Sequence, residues 1–204
     1  MTRQGGSCGE MDRARDIPTH HLIYGHLEDF ITGERLVDTD DERFRQKIAH
    51  FLVEKKGWAK KDIEPRRRIE TLFAGNFVVS TIDFLVRYKG TPFMIVRYGP
   101  GSIVTRERPA IAAARVLLKE CRIPIAVVTN GQDAVILETK KGQKIGEGLE
   151  AIPGKDEAAA FLADYPPGPF PEERRERELR ILNAYDVEIC CAGGPCPIPG
   201  AQEG

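Results

Sequence analysis

The sequence predicts an α/β fold: a mixed β-sheet flanked by helices. Three observations carry that prediction. An amphipathic helix with both ends marked precedes every strand. Three β-rich runs separated by Gly-containing turns follow it. A second helical segment then leads into a short run that is apolar throughout. Strands joined by tight turns are antiparallel neighbours, and a helical crossover into a buried strand adds a parallel one, so the sheet is mixed and needs helices to cover it.

Residues 1–27 show no periodicity and are expected to be a disordered leader. The first helix is expected over residues 39–56. Thr39 and Glu42 have capping-box spacing, Phe44, Ile48, Phe51 and Leu52 form an apolar stripe, and Gly57 is placed to stop it. Strands are expected over 63–73, 77–88 and 92–98, divided by Ala74-Gly75-Asn76 and Lys89-Gly90. Pro109, read as a first-turn proline, opens a helix over 110–121. Residues 124–129 form a buried strand, and Asn130-Gly131 turns into another over 134–138. Residues 28–150 are expected to form the main domain. Residues 151–204 are read as short helices (156–163 and 172–185), a Pro-rich linker over 166–171 and a Cys-containing tail from 190 onward.

With 41% hydrophobic residues, 30% charged residues and a net charge of −1, the 204-residue chain lacks the basic excess of a dedicated nucleic-acid binder. Any DNA contact would have to come from a local patch. No apolar run approaches the roughly 18 residues of a membrane span. Residues 1–16 contain no secretory h-region, so reduced thiols and a cytoplasmic location are expected. His20, His21 and His26 could suggest a metal site, but no carboxylate pattern accompanies them. Cys190, Cys191 and Cys196 lack the Cys-x-x-Cys spacing of a zinc ribbon and are read as free thiols, as are Cys8 and Cys121. The Gly-rich stretch from Tyr98 to Ser102 lacks the Lys-Ser/Thr ending of a P-loop.

Thr81-Ile82-Asp83-Phe84 puts an acid among apolar neighbours on a strand, and the buried strand downstream ends in Thr129-Asn130-Gly131. In this order and spacing, residues 40–148 resemble the N-terminal domain of type I restriction enzyme R subunits, a family of the PD-(D/E)XK nuclease superfamily. The resemblance implies a restriction-endonuclease-like fold and Mg²⁺-dependent DNA cleavage. Mg²⁺ takes hard oxygen ligands, activates water and polarises the phosphate. In such nucleases the Asp of one strand and a carboxylate on the next share the metal. A Lys two residues further on points to the same face.

Asp83 matches the first carboxylate. The second falls on Arg97 and the lysine on Gly99, so the Glu-x-Lys half-motif reads Arg97-Tyr98-Gly99. A guanidinium in place of a carboxylate would repel a metal by about 4 kcal/mol per unit charge at ~4 Å and an effective dielectric of 20. The site therefore reads as impaired or lost. Two readings of Asp83 stay open: a weak metal ligand helped by Glu54, or a carboxylate paired with Arg97 on one face of neighbouring strands. Glu54 in turn is either that helper or a solvated helix-end acid.

Arg66, Arg67 and Arg68, with Arg97 and with Arg115 on the helix after Gly99, are the candidate phosphate contacts, because guanidinium groups bind phosphate bidentately. Arg106 and Arg108 accompany Arg115. Glu64, Glu70 and Glu107 lie among these arginines, so solvated mixed-charge faces are the plainer alternative. The resemblance thus implies a DNA-associated protein with an altered site. A catalytically inactive module that binds or scaffolds a protein partner is the alternative. The motor and translocation modules of a full R subunit do not fit in 204 residues.

Overall fold

The structure, a computed structural model, describes residues 23–73 and 76–190. A hairpin of β1 (Ile23–Glu28) and β2 (Arg35–Thr39) comes first, so an ordered strand begins inside the segment expected to be a leader. His26 lies on β1. His20, His21, Cys8, Cys191, Cys196 and the Ala74-Gly75 turn lie outside the described residues.

Helix α1 (Asp40–His50) continues as a π-helical turn over Phe51–Lys55. Its start is as predicted on one side only. Thr39 Oγ1 accepts from Glu42 N at 3.1 Å, but the Glu42 carboxylate accepts from Gln46 Nε2 at 2.8 Å instead of reaching back to the cap.

Six strands form one mixed sheet in the order β3 (Ile63–Phe73), β4 (Asn76–Tyr88), β5 (Thr91–Tyr98), β6 (Ile125–Thr129), β7 (Ala134–Glu138), β8 (Gln143–Glu147). Only the β5–β6 pair is parallel, because α2 (Val104–Val116) carries the chain across between them. Lys89 and Gly90 join β4 to β5 with φ of 49° and 83°, the two positive values a tight twisted hairpin turn requires. Every residue of β6 and β7 is buried, as expected of strands covered on both faces.

Two placements differ from expectation around α2. The helix begins at Val104 and ends at Val116, so Pro109 stands inside it instead of opening it. The carbonyl that Pro109 leaves without an amide belongs to Thr105, in the exposed first turn where water can take it. β8 escaped the sequence reading because Gln143–Glu147 contains a single large apolar residue, and an edge strand needs no more.

A core lies on each face of the sheet. On one, Ile48 and Ala49 of α1, Leu52 of the π-helical turn and the buried Trp58 pack on Phe84, Val86, Phe93, Val96 and Val127. On the other, Ala110–Ala114 of α2 and Leu182 of α4 (Glu172–Cys190) pack on Ile82, Leu85, Ile95, Ala126 and Val128. Residues beyond 150 take part in both: Ile152 and Ala158, the latter on α3 (Ala158–Asp164), are fully buried in the first. Trp58 Nε1 also donates to Pro153 O at 3.1 Å.

The Thr129-Asn130-Gly131 turn joins the sheet to α1. Asn130 Oδ1 accepts from the amides of Gln132 and Asp133, and Thr129 Oγ1 donates to Asp133 O. Gly131 is needed twice over. Its φ is +85°, and a Cβ there would lie 2.6 Å from a ring carbon of Phe44 on α1. The turn thus packs against Phe44, the first residue of the α1 apolar stripe.

Candidate functional site

The site grows from the first turns of α1. Asp40, Asp41 and Glu42 are stabilised there by the helix dipole, and Arg45 follows one turn later, 3.5 Å from the Glu42 carboxylate. Arg45 Nε donates to Asp83 Oδ1 at 2.6 Å. The other oxygen, Asp83 Oδ2, accepts from the backbone N–H of Tyr98 at 2.7 Å. Asp83 is 5% exposed, so both of its oxygens are held by the protein itself.

The Tyr98 ring stacks on Phe44 with centroids 5.7 Å apart, and its hydroxyl donates to Asp41 Oδ1 at 3.3 Å. Burial and the neighbouring Asp41 push that hydroxyl up to a pKa of about 12.

The expected Asp83–Arg97 pair does not form. The two residues stand on neighbouring strands, one step past the Phe84↔Val96 pair, but their side chains leave the sheet on opposite faces. The alternation is broken beside Arg66, whose φ is +54°. On β3, Ile63 faces the α1 core and Ile69 the α2/α4 core. On β4, Ile82 faces the α2/α4 core and Phe84 the α1 core. Residues an even number of positions apart share a face only if alternation is unbroken, so it resets on both strands at this point. Asp83 therefore turns to α1. Arg97 turns to α4, where its Nη2 donates to Asp186 Oδ1 at 3.1 Å and where Asp186 is 5% exposed.

Gly99 is occupied from outside. A Cβ at this position would lie 2.1 Å from Arg106 Nη1 and 2.5 Å from Arg106 Cζ. The Arg106 guanidinium rests where the side chain of residue 99 would begin, and its Nε donates to Tyr185 Oη at 2.8 Å.

Arg66 reaches across to the β1–β2 turn. Its Nη1 meets Asp29 Oδ2 at 2.5 Å and its Nη2 meets Glu34 Oε2 at 2.8 Å. Gln46 Nε2 also donates to Asp29 Oδ2, at 3.1 Å. Burial works to raise the Asp29 pKa, but the Arg66 hydrogen bond, the Thr32 amide and Gln46 outweigh it and hold it below its ordinary 3.8. A carboxylate with a depressed folded pKa stabilises the fold above its unfolded value and loses that contribution as pH falls through the folded one. The melting temperature should thus fall as pH drops below about 4, with a shallower fall in Asp29→Asn; identical slopes in acid titrations of the two proteins would refute this.

The remaining candidates are dispersed. Arg67 pairs with Glu64 at 2.9 Å. Arg115 donates to Glu178 Oε1 and Thr139 O, each at 2.8 Å. Arg68 is exposed and has no polar partner among the described residues. The Glu54 carboxylate meets His50 Nδ1 at 2.7 Å and is more than half exposed, so the structure does not bring it to Asp83.

The acids that do gather here, Asp29, Glu42 and Asp83, already have Arg66 and Arg45 as counter-ions. No group of three or more His, Cys, Asp or Glu able to hold a metal ion occurs among the described residues. Sequence reasoning missed Arg45 and Asp186, and it named Arg106 only as a companion of Arg115, not as the side chain that rests against Gly99. Arg45 alone carried a local signal, its i+3 spacing from Glu42.

The class of protein defined by this arrangement is a mixed-sheet α/β domain with an acidic residue buried on the α1 face of the sheet. The family model for the type I restriction enzyme R protein N terminus (HSDR_N) matches residues 40–153, more than half of the chain. The chain belongs to that family. A fragment structure described as that of a putative HsdR subunit of a type I restriction enzyme from Vibrio vulnificus YJ016 is similar at 16% identity and a TM-score of 0.48, covering 61% of this chain and 25% of that one. No curated protein matches. Among the described residues no helix is long and apolar enough to cross a membrane.

Proposed function

We propose that this chain is a DNA-associated module of the PD-(D/E)XK nuclease superfamily whose endonuclease site no longer works as a metal centre. The observation that supports this most directly is the pairing of Asp83. A metal ion at its carboxylate would have to displace Arg45 at 2.6 Å and the Tyr98 amide at 2.7 Å. Charge-assisted hydrogen bonds of that length are among the strong ones, and Mg²⁺ gives up its hydration shell only reluctantly. Position 97 brings a cation instead of a second carboxylate, on the other face of the sheet, and position 99 brings no ammonium. The residues present do not fit Mg²⁺.

DNA association rests on the family, whose members are restriction-enzyme subunits, and it implies a cytoplasmic location. A protein-scaffolding role is the competing reading, and it predicts no DNA affinity at all. The test of lost catalysis is nicking of supercoiled plasmid in Mg²⁺ and in Mn²⁺. The expected result is no cleavage above background for either the native chain or Asp83→Ala. Cleavage by the native chain that Asp83→Ala abolishes would overturn the proposal.

A further inference from the structure

We infer that the hollow between α2, the β7–β8 turn and the start of α4 is a binding site for consecutive phosphate groups, those of a nucleic-acid strand. This rests on the DNA-associated reading and goes beyond it by giving the contact a place, away from Asp83 and on the opposite side of the sheet.

The hollow has a volume of about 390 Å³ and is lined by five cations and one carboxylate. The carboxylate, Glu178, is 5% exposed and already serves two of them: Arg115 Nη1 lies 2.8 Å from Oε1 and Arg108 Nη1 lies 2.6 Å from Oε2. The other three cations, Lys140, Arg174 and Arg177, are exposed and have no side-chain partner among the described residues. Arg174 and Arg177 are three residues apart on α4, so their stems rise from one side of the helix.

In a chain of net charge −1 this is a local excess that the overall composition conceals. Unpaired like charges around one concavity repel each other, and an anion there relieves the repulsion. The floor is fixed and the rim is free. Arg115 is held by Glu178, Thr139 O and Lys140 O, while the three unpartnered cations can move to meet a ligand.

The ligand chemistry is narrowed by shape and by one ring. Guanidinium forks suit phosphate oxygens better than a diffuse charge does. Phe170 also lines the hollow, half-buried, with the Arg115 guanidinium 5.6 Å from its ring centroid. An aromatic face beside a basic groove is what an unpaired base stacks on, which favours a single strand over a free polyphosphate.

The experiment compares the full chain with the double variant Arg174→Glu/Arg177→Glu, using a fluorescent single-stranded deoxy-oligonucleotide in one arm and inorganic tripolyphosphate in the other. Both altered residues are exposed and unpartnered, so the variant should melt like the native chain. Expected are oligonucleotide binding weakened about 10-fold or more at low salt and a log–log salt slope shallower by about 0.7 for each phosphate that the variant no longer neutralises.

Tripolyphosphate binding that disappears in the variant, without oligonucleotide binding, would support the phosphate site and overturn its nucleic-acid ligand together with the DNA reading. Equal oligonucleotide binding by native chain and variant would overturn the site and leave DNA association standing. Absence of binding in both arms would overturn both.

Discussion

Arg97→Glu, the substitution that restores a carboxylate to the position where this family resemblance expects one, should destabilise the fold by about 3–5 kcal/mol and give no nuclease activity. Arg97 and Asp186 are 15% and 7% exposed at their side chains and 3.1 Å apart, so the pair is largely desolvated. Removing one partner of such a pair leaves the other buried without a counter-charge, which is the costly case. A glutamate adds repulsion to that loss, so the upper part of the range applies. The new carboxylate would point towards α4, away from Asp83, and no metal site would follow. Denaturant unfolding measures the stability change. A variant as stable as the native chain would mean that Arg97 is not committed to Asp186.

The second large effect is expected from Arg45→Ala, at about 2 kcal/mol. Breaking a fully buried pair costs about 3–5 kcal/mol, but the Arg45 side chain is 31% exposed and water can partly replace it at Asp83, whose side chain is 6% exposed. The double variant Arg45→Met/Asp83→Asn should recover much of the loss, because removing both charges leaves neither one uncompensated. Arg45→Met, Asp83→Asn and the double variant form a cycle readable by chemical denaturation. Single-variant losses that simply add in the double variant would show that the pair's coupling is negligible.

How far the sequence led can be judged from particular residues. Elements with local signatures were legible: the Thr39 cap and apolar stripe of α1, the Lys89-Gly90 turn between β4 and β5, and the apolar run of β6 before Thr129-Asn130-Gly131. Elements stabilised mainly by what they lie against were not. β1 and β8 have too few apolar residues to show a period, and α2 starts five residues before its proline.

At the site, Asp83 was identified and its partner was not. Period-two alternation put Asp83 and Arg97 on one face, and that inference holds only for an unbroken strand. The reset beside Arg66 has no local sequence signature, because no neighbouring residue marks an arginine for positive φ and its partners Asp29 and Glu34 lie in another hairpin. Arg45 lies 38 residues from Asp83 in the chain, and Asp186 lies 89 residues from Arg97. Such pairings depend on how helices dock, which neither composition nor spacing encodes. The Arg115 cluster escaped for the same reason, because α4 supplies Arg174, Arg177 and Glu178 from the far end of the sequence.

The central claim is that Asp83 is held by Arg45 and the Tyr98 amide and is closed to a divalent cation. Isothermal titration calorimetry of the full chain with Mg²⁺, and then with Mn²⁺, tests it most directly, with Asp83→Ala as the paired protein. The account predicts no saturable binding in the sub-millimolar range for either protein, and superimposable heats. Sub-millimolar binding by the native chain that disappears in Asp83→Ala would contradict it.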